Sequence, residues 1–165
     1  MSRRPPMVLV VCLGNICRSP TAEAALREAA VDAGVDLEVR SAGTGTWHLG
    51  EPPDARMRAA AEAVGLELSG TAERVSSDAL EDADLVLAMD ATNLGDLRRL
   101  ADHAGIDTPI RRFREFDPHA EDDLDVPDPY YGGPEGFDEV VEMCRRTAAA
   151  VVEHVTRTQG DTVEP

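Results

Sequence analysis

Val8 to Val11 forms an uninterrupted apolar run with no charge and three β-branched side chains. Apolar at every position rather than at alternate ones, it predicts a strand buried on both faces of a parallel sheet. Pro20 stands where the first turn of a helix tolerates proline, and Thr21 to Ala33 is rich in Ala, Glu, Leu and Arg, so a helix follows and Gly34 stops it. "LEVRSAG", Leu37 to Gly43, predicts a second strand that runs into a glycine turn. Helical composition returns over Asp54 to Val64, with Gly65 behind it. "DADLVLAMD", Asp82 to Asp90, contains a third strand, and a helix around Asn93 to His103 follows it with Asp90 or Thr92 as the cap. "TPIRRF", Thr108 to Phe113, is a shorter fourth strand.

Arg114 to Pro134 is irregular and dense in Asp, Pro and Gly. Gly136 to Val155 closes the pattern as a helix, with Phe137, Val140, Val141, Cys144, Ala148, Val151, Val152 and Val155 at helical spacing, and the chain frays from about Arg157. Strands alternating with helices define an α/β fold, here a three-layer sandwich with a central parallel sheet and helices on both faces. The 165 residues suit one domain, with an ordered core over about residues 7–157. In such sheets ligands bind at the carboxyl ends of the strands beside a switch point, which directs attention to the residues after Val11.

Composition narrows the function. Sixteen Lys and Arg against 32 Asp and Glu give a formal charge of −16, which repels phosphate backbones and anionic lipid and argues against nucleic-acid and membrane partners. The three cysteines, Cys12, Cys17 and Cys144, have no zinc-like spacing and suit a reducing cytosol. Ser2, Arg3 and Arg4 imitate the start of a signal peptide, but the apolar run behind them is too short and Arg18 follows with no cleavage pattern. A cytoplasmic protein without membrane insertion is expected.

The candidate chemistry lies in "VCLGNICRSP", Val11 to Pro20. Between a strand and a helix, residues 13–18 form a loop whose N–H groups can converge on one anion beside a helix N-terminus: Leu13, Gly14, Asn15, Ile16, Cys17 and Arg18 make a phosphate cradle. Gly14 permits the tight turn, and the Asn15 side chain can fix the loop through backbone hydrogen bonds. Arg18 adds a guanidinium that grips two phosphate oxygens at once. Cys12, at the base, feels the same donors, all of which favour thiolate, and the Ser19 hydroxyl can support the sulfur as nucleophile and as leaving group. Such a site calls for phosphoryl transfer through a thiophosphate intermediate, with a carboxylic acid at its mouth to protonate the leaving oxygen and later deprotonate water. No metal or other cofactor is expected.

These residues resemble the signature of the low-molecular-weight protein tyrosine phosphatases. "DPYYGG", Asp128 to Gly133, looks like that family's general-acid loop, and "SAGTGTWHLGEPPD", Ser41 to Asp54, and "MDATN", Met89 to Asn93, match in order and spacing. The resemblance implies a four-stranded sheet and a phosphotyrosine phosphatase, with Cys12 as nucleophile, Arg18 as clamp, Ser19 as thiolate partner, Asn15 as loop organiser and Asp128 as acid and then base. Trp47, Tyr130 and Tyr131 would wall a slot for an aryl ring, with Leu13 at its rim and His48 a further candidate contact. Implied partners are phosphotyrosine-containing proteins, an autophosphorylating tyrosine kinase among the candidates, with inorganic phosphate as product. The likeness departs at one place. After Leu68-Ser69 many members carry a histidine that braces the phosphate loop, and here Gly70 stands there.

Several residues have plainer readings. Asp128 is also a turn former, with Asp117 and Asp125 as rivals for the acid. Cys17 either packs under the loop or serves as a redox partner that closes a disulfide with Cys12 after peroxide attack. Asp90 reads as a cap, Tyr130 and Tyr131 as packing residues or kinase targets, and His103, His119 and His154 as surface. Arsenate reductases of similar loop sequence use two further cysteines near residues 80–90, where this chain has none. Protein arginine phosphatases typically carry Thr where Ile16 stands, and an apolar Ile16 favours an aromatic leaving group over a guanidinium that needs acceptors. A phosphate-binding module without catalysis is the remaining alternative.

Overall fold

The computed structural model describes residues 4–162. Four strands, β1 (Met7–Cys12), β2 (Glu38–Gly43), β3 (Leu85–Ala88) and β4 (Ile110–Arg112), form one parallel sheet in the order β2-β1-β3-β4. The helices are α1 (Arg18–Ala33), α2 (Ala55–Glu62), α3 (Ser77–Asp82), α4 (Ala91–Ala104) and α5 (Pro134–Thr162), with a short 3-10 turn at Phe113–Phe116. This is the expected α/β architecture.

The two faces of β1 explain its unbroken apolar run. Val8, Val10 and Cys12 pack toward α1, α2 and α5, with Leu26, Met57 and Val140 among their neighbours. Met7, Leu9 and Val11 pack on the opposite side with Leu80 of α3 and Leu97 of α4. Successive strand side chains point to opposite faces, so a strand covered twice has no position left for a polar residue. β1 pairs with β2 through Val11↔Ala42 and Cys12↔Gly43 and with β3 through Val11↔Ala88. The chain leaves β1 toward one neighbour and later returns to the other. Cys12 therefore ends its strand at the point where the order reverses, where a crevice opens.

Most element ends follow from local chemistry. Gly34 (φ 68°) and Gly105 (φ 69°) adopt the left-handed conformation that closes α1 and α4. Asp90, not Thr92, caps α4 by accepting from the Asn93 N–H at 2.8 Å. Three features differ from the sequence reading. Helix α3 was not expected: it is six residues long and buries only Leu80. Helix α5 opens at Pro134, as the first helical turn allows, and continues past Arg157 to Thr162. The Thr156 and Thr158 hydroxyls donate back to the Val152 and His154 carbonyls at 2.8 and 2.9 Å and help hold its last turns. The remaining residues of the expected frayed end lie outside the described residues. Finally, His154 is half-buried against the Phe116 ring at 5.0 Å rather than on the surface, whereas His103 and His119 are exposed. Among the described residues no helix is long and apolar enough to cross a membrane.

Candidate active site

The loop after β1 is tied down from outside. The Thr44 and Gly45 N–H groups donate to the Cys12 and Leu13 carbonyls, both at 2.9 Å, and the Asp54 N–H donates to the Ile16 carbonyl at 2.9 Å. Gly43 permits this closeness, since a Cβ there would stand 2.8 Å from the Leu13 carbonyl oxygen. Asn15 takes a left-handed φ of 58°, unusual for a non-glycine residue, and turns its own N–H back on the Cys12 sulfur at 3.2 Å. The second group on the sulfur is the Ser19 hydroxyl at 3.0 Å. Helix α1 begins at Arg18 with no side chain capping it, which leaves its first N–H groups free to face an anion.

Arg18 is buried, and its Nη1 is committed to Asp90 Oδ2 at 2.7 Å and to the Val126 carbonyl at 3.0 Å. Nη2 is turned toward Asp128, 3.6 Å from Oδ2. Burial disfavours the cation, but the Cys12 sulfur, the Asp90 hydrogen bond and the Asp128 charge outweigh it and raise the pKa of Arg18. Asp128 receives the Tyr130 N–H on Oδ1 at 3.1 Å and remains exposed to solvent at the mouth.

Between these groups lies a cavity of about 380 Å³. Cys12, Gly14, Ile16, Cys17 and Arg18 form its base, and Leu13, Trp47, His48, Asp128, Tyr130 and Tyr131 its walls and rim. Trp47 is 72% and Tyr131 92% exposed, so these rings stand at the rim with faces uncovered. Trp47 lies folded over Gly45, where a Cβ would come within 2.2 Å of its ring. Tyr130 is held from behind: the Arg56 guanidinium sits 5.2 Å from its ring centre and 4.8 Å from that of Phe137, anchored by two hydrogen bonds to Asp54. The geometry thus gathers the residues singled out in the sequence, with Asn15 and Ser19 behind the loop rather than in the cavity.

Neither rival acid reaches the cavity. Asp117 is buried against Arg114 and Arg146. Asp125 accepts from the Ala91 N–H and from Arg112. Two contributors were missed by sequence reasoning. Asp90 does more than cap α4, since its second oxygen holds Arg18. The Glu73 backbone N–H donates to Asn15 Oδ1 at 2.9 Å, while a Cβ on Gly70 would have nothing within 4 Å.

A buried thiol, a buried guanidinium and an exposed carboxylate thus share one slot with aromatic rings, at the carboxyl end of a four-stranded parallel sheet. The sequence matches the family described as "Low molecular weight phosphotyrosine protein phosphatase" over residues 7–160, and the chain belongs to that family. It is 45% identical over 148 residues to the low molecular weight protein-tyrosine-phosphatase of Streptomyces coelicolor, covering 88% of this chain and 90% of that protein. The crystal structure of YfkJ from Bacillus subtilis superposes with a TM-score of 0.84 at 36% identity, covering 94% of this chain and 97% of that one. The crystal structure of the Drosophila arginine phosphatase does so with a TM-score of 0.82 at 31% identity, covering 89% and 96%.

Proposed function

We propose that the chain hydrolyses phosphotyrosine in proteins through a cysteinyl-phosphate intermediate. One observation carries the reading: Cys12, Arg18 and Asp128 meet in a single slot with three aromatic rings on its walls. The Cys12 thiolate attacks phosphorus in line, the loop N–H groups and Arg18 hold the equatorial oxygens, and the bond to the tyrosyl oxygen breaks as Asp128 delivers its proton there. Asp128, now a carboxylate, takes a proton from the water that attacks the phosphocysteine. The S–P bond breaks, the sulfur leaves with the Ser19 hydroxyl beside it, and inorganic phosphate departs. Protein substrates, an autophosphorylating tyrosine kinase among them, would meet this slot in the cytoplasm.

The test is phosphate release from matched phosphotyrosine, phosphoserine and phosphoarginine peptides with a chelator present. Phosphotyrosine is expected to turn over fastest. Asp128→Ala should lower that rate by about 10²- to 10⁴-fold, and should affect 4-nitrophenyl phosphate far less because its leaving group needs no proton. Release from no peptide would leave the cradle as a binding site. The likeness to an arginine phosphatase makes phosphoarginine the second reading. Against it, Asp128 is the one carboxylate among the described residues that line the cavity, and the apolar Ile16 at its base offers a guanidinium no side-chain acceptor.

Cys17 completes the proposal as a redox partner. Burial above all, with the charges of Asp54, Cys12 and Asp128, pushes its thiol up to about 12, so it rests protonated. Peroxide would convert the Cys12 thiolate to a sulfenic acid, removing one of those charges, and the Cys17 sulfur would then displace water to give the disulfide. Peroxide-treated wild type is accordingly expected to regain activity with dithiothreitol, and Cys17→Ala to lose it for good. Equal recovery in both would refute the pairing.

A further inference from the structure

Behind the phosphate loop the hydrogen bonds form a fork whose far end takes no part in the chemistry above. Asn15 is its branch point. Because Asn15 Oδ1 receives the Glu73 N–H, its Nδ2 faces two serines and donates to Ser19 Oγ at 2.8 Å and Ser41 Oγ at 3.1 Å. A hydroxyl that accepts one bond still has a hydrogen to place. Ser41 places its hydrogen on Glu23 Oε1 at 2.7 Å. For Ser19 the partners are the Cys12 sulfur at 3.0 Å and, less favourably, the Ala42 carbonyl at 3.5 Å. The fork therefore has two accepting ends, the sulfur and the Glu23 carboxylate.

Glu23 is built into this place. It stands four residues after Ser19, on the same face of α1. Its side chain is 14% exposed, and Arg27 Nη2 holds the second oxygen at 2.6 Å while donating to the Val39 carbonyl at 2.8 Å. With a carboxylate there, Ser41 can only donate outward and accept from Asn15. That pins the amide, and with it the Asn15 N–H and the Ser19 hydroxyl, on the sulfur. Without it the Ser41 hydroxyl is free to turn, and Asn15, which holds a left-handed backbone conformation, loses one of three side-chain anchors.

We propose that Glu23 is a positioning residue of this active site: by accepting from Ser41 it aims the Asn15–Ser19 fork at Cys12. The inference rests on the reading of Cys12 as the nucleophile. Glu23 does not touch the substrate slot but faces a separate polar cavity of about 520 Å³, shared with Ser69, Gly70 and Glu73. Substrate affinity should therefore be spared.

The experiment compares Glu23→Ala, Ser41→Ala, the double variant and Arg27→Ala. It measures kcat and KM on 4-nitrophenyl phosphate, the rate of Cys12 alkylation by iodoacetate without substrate, and Tm. Glu23→Ala and Ser41→Ala are each expected to lower kcat and alkylation about five- to twentyfold with KM nearly unchanged. The double variant should be no worse than the poorer single one, since both cut the same branch. Arg27→Ala, which removes the ion pair but leaves the acceptor, should stay near wild type. Should Glu23→Ala also lower Tm, Ser41→Ala, a loss of one hydroxyl, carries the test. Wild-type kcat and alkylation in either single variant would overturn the proposal, as would losses that multiply in the double variant or an Arg27→Ala loss equal to that of Glu23→Ala. A wild-type protein that alkylates readily but releases no phosphate would refute the phosphatase reading and leave the fork to be judged by alkylation.

Discussion

Cys12→Ser is expected to lower phosphate release from phosphotyrosine peptides by about 10⁴-fold or more while leaving peptide binding intact. A serine hydroxyl fits the same place and meets the same donors, the Asn15 N–H and the Ser19 hydroxyl. Both neighbours supply hydrogen bonds to the position, and neither is a base. A thiol can give up its proton in such surroundings, whereas a hydroxyl becomes a nucleophile only with a base to take its proton. Arg18→Lys is expected to impair binding and attack together. Lysine keeps the charge but lacks the planar fork by which one nitrogen holds Asp90 and Val126 while another faces the slot. We expect it to cost about 10²- to 10³-fold in turnover and to weaken phosphopeptide binding as well. Calorimetric titration of a phosphotyrosine peptide into each variant, beside single-turnover rates, distinguishes the two. If Cys12→Ser keeps more than about one part in a hundred of wild-type turnover, hydrolysis does not pass through the sulfur.

Much of this site was legible because its parts are close in sequence or carry strong local signals. The unbroken apolar run of Val8 to Val11 could only be a doubly covered strand, and a glycine, a cysteine and an arginine between it and Pro20 left few chemistries open. Asp90 was harder. A capping aspartate spends one oxygen on the helix, and nothing in the linear pattern says what the other meets; that follows from β3 lying beside β1 in the sheet, which brings Asp90 and Arg18 together across 72 residues. Glu73 was invisible in principle, because its contribution is a backbone N–H that any residue but proline would supply. Helix α3 failed on length: six residues with one buried side chain show no periodicity, although its Ser76 cap, which accepts from the Ala79 N–H, was there to be noticed. Asp117 is the instructive case, since the sequence offered it only as a rival for the acid and its partners come from three residues before and 29 after.

Asp117→Asn is therefore expected to cost stability rather than catalysis, about 3–5 kcal/mol. The side chain is fully buried, and both oxygens are in use: Oδ1 accepts from the His119 N–H and Arg146 Nε, each at 2.8 Å, and Oδ2 from Arg114 Nε at 2.9 Å and Arg146 Nη2 at 3.1 Å. The carboxylate thus staples the 3-10 turn after β4 to helix α5. An asparagine would turn an amide N–H₂ toward a guanidinium and leave buried Arg114 without its counter-charge. Burial pushes the Asp117 carboxyl up, but Arg146, the His119 N–H and Arg114 outweigh it and hold it at about 2. A folded value below the ordinary ~3.9 of an unfolded aspartate means stability that is full above about pH 4 and lost as pH falls through about 2, worth about 3 kcal/mol. The substitution should cost more than that protonation, because it also removes an acceptor. Thermal melts should place the variant on the order of 10 °C below wild type at neutral pH. The gap should narrow below about pH 4, where the wild type begins to lose the same contribution. Because Asp117 does not line the slot, kcat and KM of the folded variant should match wild type. A Tm within about 2 °C of wild type would mean that the two arginines find other partners and that this pairing does not hold α5 in place.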